Sequence, residues 1–120
     1  MLFRLMLVIA LLTGCSGVSS DTLETAWNKI ENGAVVIDVR TPQEYQRGHL
    51  RDAELVPYTR IGERIDTLVE SKDRAIVLYC HSGRRSGIAA RELERLGYTD
   101  VLNAGGLRQL KAYRQQQAAR

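Results

Sequence analysis

An α/β fold, a parallel sheet with helices packed over it, is the class this sequence predicts, and three observations carry it. Residues 34–39 (Ala-Val-Val-Ile-Asp-Val) and 76–79 (Ile-Val-Leu-Tyr) are near-continuous apolar runs, as strands buried on both faces require. Segments with apolar residues at helical spacing lie between and around them, so strand and helix signals alternate along the chain. Cys80 follows the second run and opens a Ser-Gly loop, which puts it at a strand's carboxyl end. The chain's 120 residues, 44% hydrophobic and 26% charged, suffice for one core and one domain.

The first fourteen residues stand apart from that core. Arg4 precedes the apolar block 5–12, which is shorter than the ~20 residues a permanent transmembrane helix needs, so residues 1–14 read as a secretory signal. Leu12-Thr13-Gly14-Cys15 resembles the bacterial lipoprotein cleavage box, which implies lipidation of Cys15 as the new first residue. The alternative is an ordinary signal peptide cut near Gly14 or Gly17. Acyl chains, at ~0.8 kcal/mol per buried CH2, would make the attachment stable. Residues 15–20 would form a tether, of which the polar part, 16–20, reaches at most ~17 Å, and residues 21–120 the folded domain. Ser16 after the lipidated cysteine implies, by the sorting rule of such lipoproteins, the outer membrane and the periplasmic side of the envelope.

Loss of residues 1–14 removes Arg4 and no acid, leaving 16 basic and 14 acidic residues, which is no nucleic-acid-binding balance. With Cys15 lipidated, Cys80 is the only thiol of the folded domain, and no disulfide within the chain can form. In an oxidising compartment a solitary thiol is buried or used, and the position of Cys80 argues for use.

The elements follow in order. Asp21 or Ser20 can cap a helix over 22–31, with Leu23, Ala26, Trp27 and Ile30 on one face and Asn32-Gly33 at its end. After the strand 34–39, Thr41 reads as an N-cap, Pro42 as the first helical residue and Glu44 as the acid of a capping box. Residues 53–56 form a short strand stopped by Pro57. Ile61, Ile65, Leu68 and Val69 mark the next helix, and Ser71-Lys72-Asp73 turns back into the sheet. Ser86 can cap a helix over 87–96, which Gly97 closes. Residues 101–102 are a last brief strand, and 111–120 a solvated helical end.

Loop N–H groups at a strand end, together with the positive end of the helix that follows, hold negative charge. A thiolate on Cys80 is the charge available, and Arg84 and Arg85 favour it further, lowering the thiol from its reference pKa of ~8.5.

The run Cys80-His81-Ser82-Gly83-Arg84-Arg85-Ser86 resembles the active-site loop of single-domain rhodaneses, the thiosulfate sulfurtransferases. Asp38-Val39-Arg40, Glu44-Tyr45 and Gly48-His49-Leu50 resemble a second stretch of that family, and Asn103-Ala104-Gly105-Gly106-Leu107 its closing Gly-Gly turn near the catalytic loop. Three motifs in order cover about residues 21–110, and the compact, exported form is most similar to the family's small periplasmic phage-shock type. The family usually has Pro-Gly where this chain has Arg51-Asp52, and many members have Trp in place of Leu110.

The resemblance implies a three-layer fold with a five-stranded parallel sheet, the site at the strands' carboxyl ends. It implies Cys80 as a nucleophile that takes sulfane sulfur from a small anionic donor such as thiosulfate and passes it to a thiol or cyanide-like acceptor, with no cofactor and no metal. The family's loop arginine falls on Arg85, which with Arg84 would meet the anionic donor. Asp38, Arg40, Glu44 and His49 are expected to brace the loop, and His81 is either a proton-transfer aid or polar surface. Other readings are a persulfide carrier or sensor and a phosphatase or arsenate reductase of the same fold. Those phosphatases place five residues between cysteine and arginine, whereas four separate Cys80 from Arg85.

Overall fold

The computed structural model describes residues 18–119. Helix α1 (Ser20–Glu31) is capped by Ser19, whose hydroxyl accepts the Thr22 N–H at 3.2 Å, just ahead of the expected Ser20 or Asp21. Val18 packs on the cluster beneath α1. Residues 18–20, expected in the tether, therefore belong to the folded unit, while the expected signal segment and Cys15 lie outside the described residues. The chain continues through β1 (Val35–Asp38), α2 (Pro42–Arg47), β2 (Glu54–Leu55), a 3-10 turn (Tyr58–Arg60) and α3 (Ile61–Leu68). Then come β3 (Ile76–Cys80), α4 (Arg84–Arg95), β4 (Val101–Gly106) and α5 (Leu107–Ala118).

The strands form one parallel sheet in the order β2-β1-β3-β4. Five strands were expected from the resemblance; among the described residues four pair. Helices cover both faces, and the two-residue period of a strand divides the core between them. Ile37, Val39, Ile76 and Leu78 meet α3 and α4, whereas Val36, Val77 and Tyr79 meet α1 and α5. All of β3 is buried, which accounts for its unbroken apolar run. Each large side chain removed from water there contributes about 1.5–3 kcal/mol before entropy is subtracted.

Two expectations about β3 and its neighbours change. Helix α4 begins at Arg84, not at 87, because Gly83 takes the left-handed conformation (φ +93°) and turns strand into helix within three residues. Ser86 is therefore no cap; it lies inside the first turn, fully buried. Strand β4, expected over 101–102, runs on to Gly106, since β3 continues to offer a pairing edge as far as Cys80. Against it β4 carries one extra residue: Leu78 pairs with Asn103 but Cys80 with Gly106, a β-bulge at the sheet's carboxyl end. No helix among the described residues is long and apolar enough to cross a membrane.

Candidate active site

Cys80 is the last residue of β3 and is buried. Its Sγ accepts the Gly83 N–H at 2.9 Å and the Ser86 hydroxyl at 3.3 Å. Burial by itself pushes the thiol pKa up. The Ser86 hydroxyl and the backbone N–H groups of Ser86, Ser82 and Gly83 together outweigh it, so the thiol lies below its ordinary value. These donors belong to a helix start that has no capping side chain and no acid in its first turn. Sulfur takes the place an N-cap oxygen would fill, and a thiolate there suits the helix dipole. The sequence points to loop N–H groups aided by two arginines; the hydrogen bonds of the loop, with the Ser86 hydroxyl first among them, carry the depression.

The loop is held from behind by a residue that sequence reasoning assigned no role. Asn103, at the bulge of β4, donates through Nδ2 to the Gly83 carbonyl at 3.0 Å. Its Oδ1 accepts the Gly105 N–H at 3.0 Å and lies 2.7 Å from the Ser86 hydroxyl, whose single proton it shares with Cys80 Sγ. The one legible signal for Asn103 was a polar residue in an apolar strand just ahead of Gly-Gly. Those glycines allow the close approach: a Cβ on Gly106 would collide with the His81 carbonyl. Gly83, already at positive φ, leaves 3.2 Å between the position of a Cβ and the Gly105 Cα.

Arg85 does not stand free for a donor. Its Nη1 and Nη2 donate to Glu44 Oε1 and Oε2 at 2.7 and 2.9 Å, and that bidentate pair holds the Glu44 carboxyl down to about 2. Glu44 also closes the expected capping box of α2, accepting the Thr41 N–H at 3.2 Å, so one carboxylate ties α2 to the active-site helix. Arg84 is exposed and has no ion pair among the described residues.

Asp38 and Arg40 form a buried pair, with Arg40 Nε 2.9 Å from Oδ1 and Nη2 2.7 Å from Oδ2. Arg40 Nη2 also donates to the Gly48 carbonyl at 2.7 Å, and Tyr79 Oη accepts the Leu50 N–H at 3.0 Å. The segment after α2 is thereby pinned onto the sheet. His49 is exposed and stacked on Tyr45, ring centroids 3.6 Å apart, outside the cleft beside the loop. His81 and Ser82 are exposed on the loop itself. Beside His81 and Arg85 opens a cleft of about 390 Å³, lined also by Arg40, Glu44, Arg47, Gly48, Leu107 and Lys111. No group of three His, Cys, Asp or Glu among the described residues could hold a metal ion.

The rhodanese-like domain family matches residues 22–113. Thiosulfate sulfurtransferase PspE of Escherichia coli is 45% identical over 74 residues, covering 62% of this chain and 71% of that protein. The putative sulfur carrier protein YrkF of Bacillus subtilis is 31% identical over 90 residues, which span 73% of this chain but only 48% of that protein. A solved structure of rhodanese with anions from Escherichia coli aligns with a TM-score of 0.62 at 43% identity, over 63% of this chain and 89% of its own.

Proposed function

The chain belongs to the rhodanese-like family of sulfurtransferases, and from that premise we propose that it takes sulfane sulfur from thiosulfate or a similar anion onto Cys80 and passes it to a thiol or cyanide-like acceptor. The observation that carries this is the Cys80 Sγ, held at the end of β3 by the Gly83 N–H and the Ser86 hydroxyl and acidified by them. The Cys80 thiolate attacks the outer sulfur of thiosulfate, the S–S bond breaks, and sulfite leaves with its electron pair. Loop donors that held the thiolate then face the persulfide. An acceptor attacks the outer sulfur and the pair returns to Cys80.

Arg85 enters this scheme as a positioning residue, since its charge is spent on Glu44. The same pairing weighs against phosphate chemistry, in which a loop arginine has to face the phosphoryl oxygens. A second reading, a persulfide carrier that turns over slowly, is favoured by the burial of Cys80: an attacking acceptor has to open the loop. Similarity to a putative sulfur carrier supports it too. At the amino terminus we propose cleavage after Gly14 and lipidation of Cys15, tethering the domain to the periplasmic face of the envelope, the outer membrane for preference. Release of a Cys15→Ala protein from the membrane fraction tests that.

The function is tested by assaying thiosulfate:cyanide sulfur transfer and aryl-phosphate hydrolysis on the same purified protein. Sulfur transfer that depends on Cys80 is the expected result. Phosphate release that depends on Cys80 without sulfur transfer would overturn it, and a persulfide that forms once and is not discharged would favour the carrier.

A further inference from the structure

The cleft beside His81 and Arg85 holds more positive charge than its pairs account for. Of its cations, Arg40 is neutralised by Asp38 and Arg85 by Glu44. Arg47, in the last turn of α2, and Lys111, in α5, have no ion pair with any described residue. Lys111 Nζ lies over Gly48, where a Cβ would be 3.8 Å away. Two uncompensated cations from separate elements thus share one concavity with Leu107 as apolar wall and His81, the neighbour of Cys80, at its rim. Thiosulfate has only five heavy atoms, while about 390 Å³ falls in the range that accepts organic ligands.

We propose that Arg47 and Lys111 are the specificity-determining residues for the second substrate: a low-molecular-weight thiol carrying carboxylates, which rest on these cations while its sulfur points to the loop that follows Cys80 and attacks as that loop opens. This rests on the sulfur-transfer reading above. The acceptor gives its thiol proton to water, and its thiolate attacks the outer sulfur of the Cys80 persulfide. A new S–S bond forms on the acceptor as the old one breaks, and the electron pair stays on Cys80 Sγ. Sulfane sulfur moves at unchanged oxidation state, so no oxidant or reductant is needed. Two anchors from different elements favour a dianion over a single charge, and their exposure keeps each contribution modest.

The test loads the purified protein with thiosulfate and compares discharge by mercaptosuccinate with discharge by neutral 2-mercaptoethanol. Arg47→Gln and Lys111→Gln should each lower the ratio of the two rate constants about three- to fivefold, and the double variant about tenfold, in keeping with exposed charge pairs. Raising salt to about 0.5 M should erode the wild-type preference in the same way. Arg64→Gln, exposed on α3, should leave the ratio as it is. Equal losses with both thiols, or an unaltered ratio in the double variant, would overturn the proposal. Succinate, which cannot react, separates this from the parent reading when titrated by NMR into the Cys80→Ser protein. Shifts at Gly48 and Lys111 that weaken in the Arg47→Gln protein uphold the subsite even if no sulfur is transferred. Sulfur transfer without such shifts leaves the function standing and removes the subsite.

Discussion

Neighbouring parallel strands β1 and β3 each end in an acidic group, and they treat it in opposite ways. Asp38, ending β1, is matched by a side-chain cation two residues on, and the Arg40 pair is buried and closed. Cys80, ending β3, meets no cation at hydrogen-bond distance among the described residues; it meets a left-handed glycine's N–H and a buried hydroxyl. A closed ion pair fixes a loop and leaves nothing to react. Donors without a counterion stabilise a negative sulfur and leave its remaining lone pairs available, which is what a nucleophile needs. Position in the sheet is shared; the type of partner separates bracing from chemistry.

The largest expected effect comes from deleting the reactive end. Cys80→Ser should reduce sulfur transfer to background while circular dichroism and thermal melting stay near wild type, because a hydroxyl fills almost the same volume. Breaking the braced end should do the reverse. Asp38→Ala leaves Arg40 buried without its partner and should cost about 3–5 kcal/mol in urea unfolding, a large share of a small domain's stability. If Asp38→Ala lost activity at unchanged stability, the division between the two strand ends would fail.

Ser86→Ala and Asn103→Ala sharpen the comparison at the sulfur. Each removes support for donors that lower the Cys80 pKa, so the acid limb of the pH–rate profile should move to higher pH, with activity at neutral pH down about tenfold. A profile that keeps its midpoint in both variants would assign the depression elsewhere. Glu44, folded near 2 against an ordinary carboxylate value, contributes stability that is present above about pH 4.5 and lost as pH falls toward 2. Acid unfolding of Glu44→Gln should be correspondingly less steep over that window. The smallest effect is a gain: Asp52 sits at φ +62°, and Asp52→Gly should stabilise by about 0.5–1 kcal/mol.

Much of this was legible in the sequence because strand cores are written as contiguous apolar runs. Residues 34–39 and 76–79 located β1 and β3, the Thr41-Pro42-Glu44 pattern located α2, and the turn after Cys80 placed the thiol at a strand end. What stayed hidden was pairing across elements. Glu44 and Arg85 are 41 positions apart, and each has a sufficient local explanation, a capping box for one and a loop cation for the other. Nothing in either segment says that they cancel. Ser86 misled for a related reason: a serine just before an amphipathic stretch suggests a cap, but Gly83 starts the helix earlier and turns that hydroxyl inward. Asn103 acts through a bulge, and a bulge is a mismatch between two strands that neither reveals alone.

The central claim, that donors at the end of β3 hold a sulfur nucleophile, is tested most directly by intact mass of the purified protein before and after thiosulfate, with the added sulfur located by peptide mapping. One sulfur atom gained on Cys80 near neutral pH, absent in Cys80→Ser and formed at lower pH in wild type than in Ser86→Ala, is the expected result. No added sulfur, or sulfur that maps elsewhere and persists in Cys80→Ser, would contradict the account.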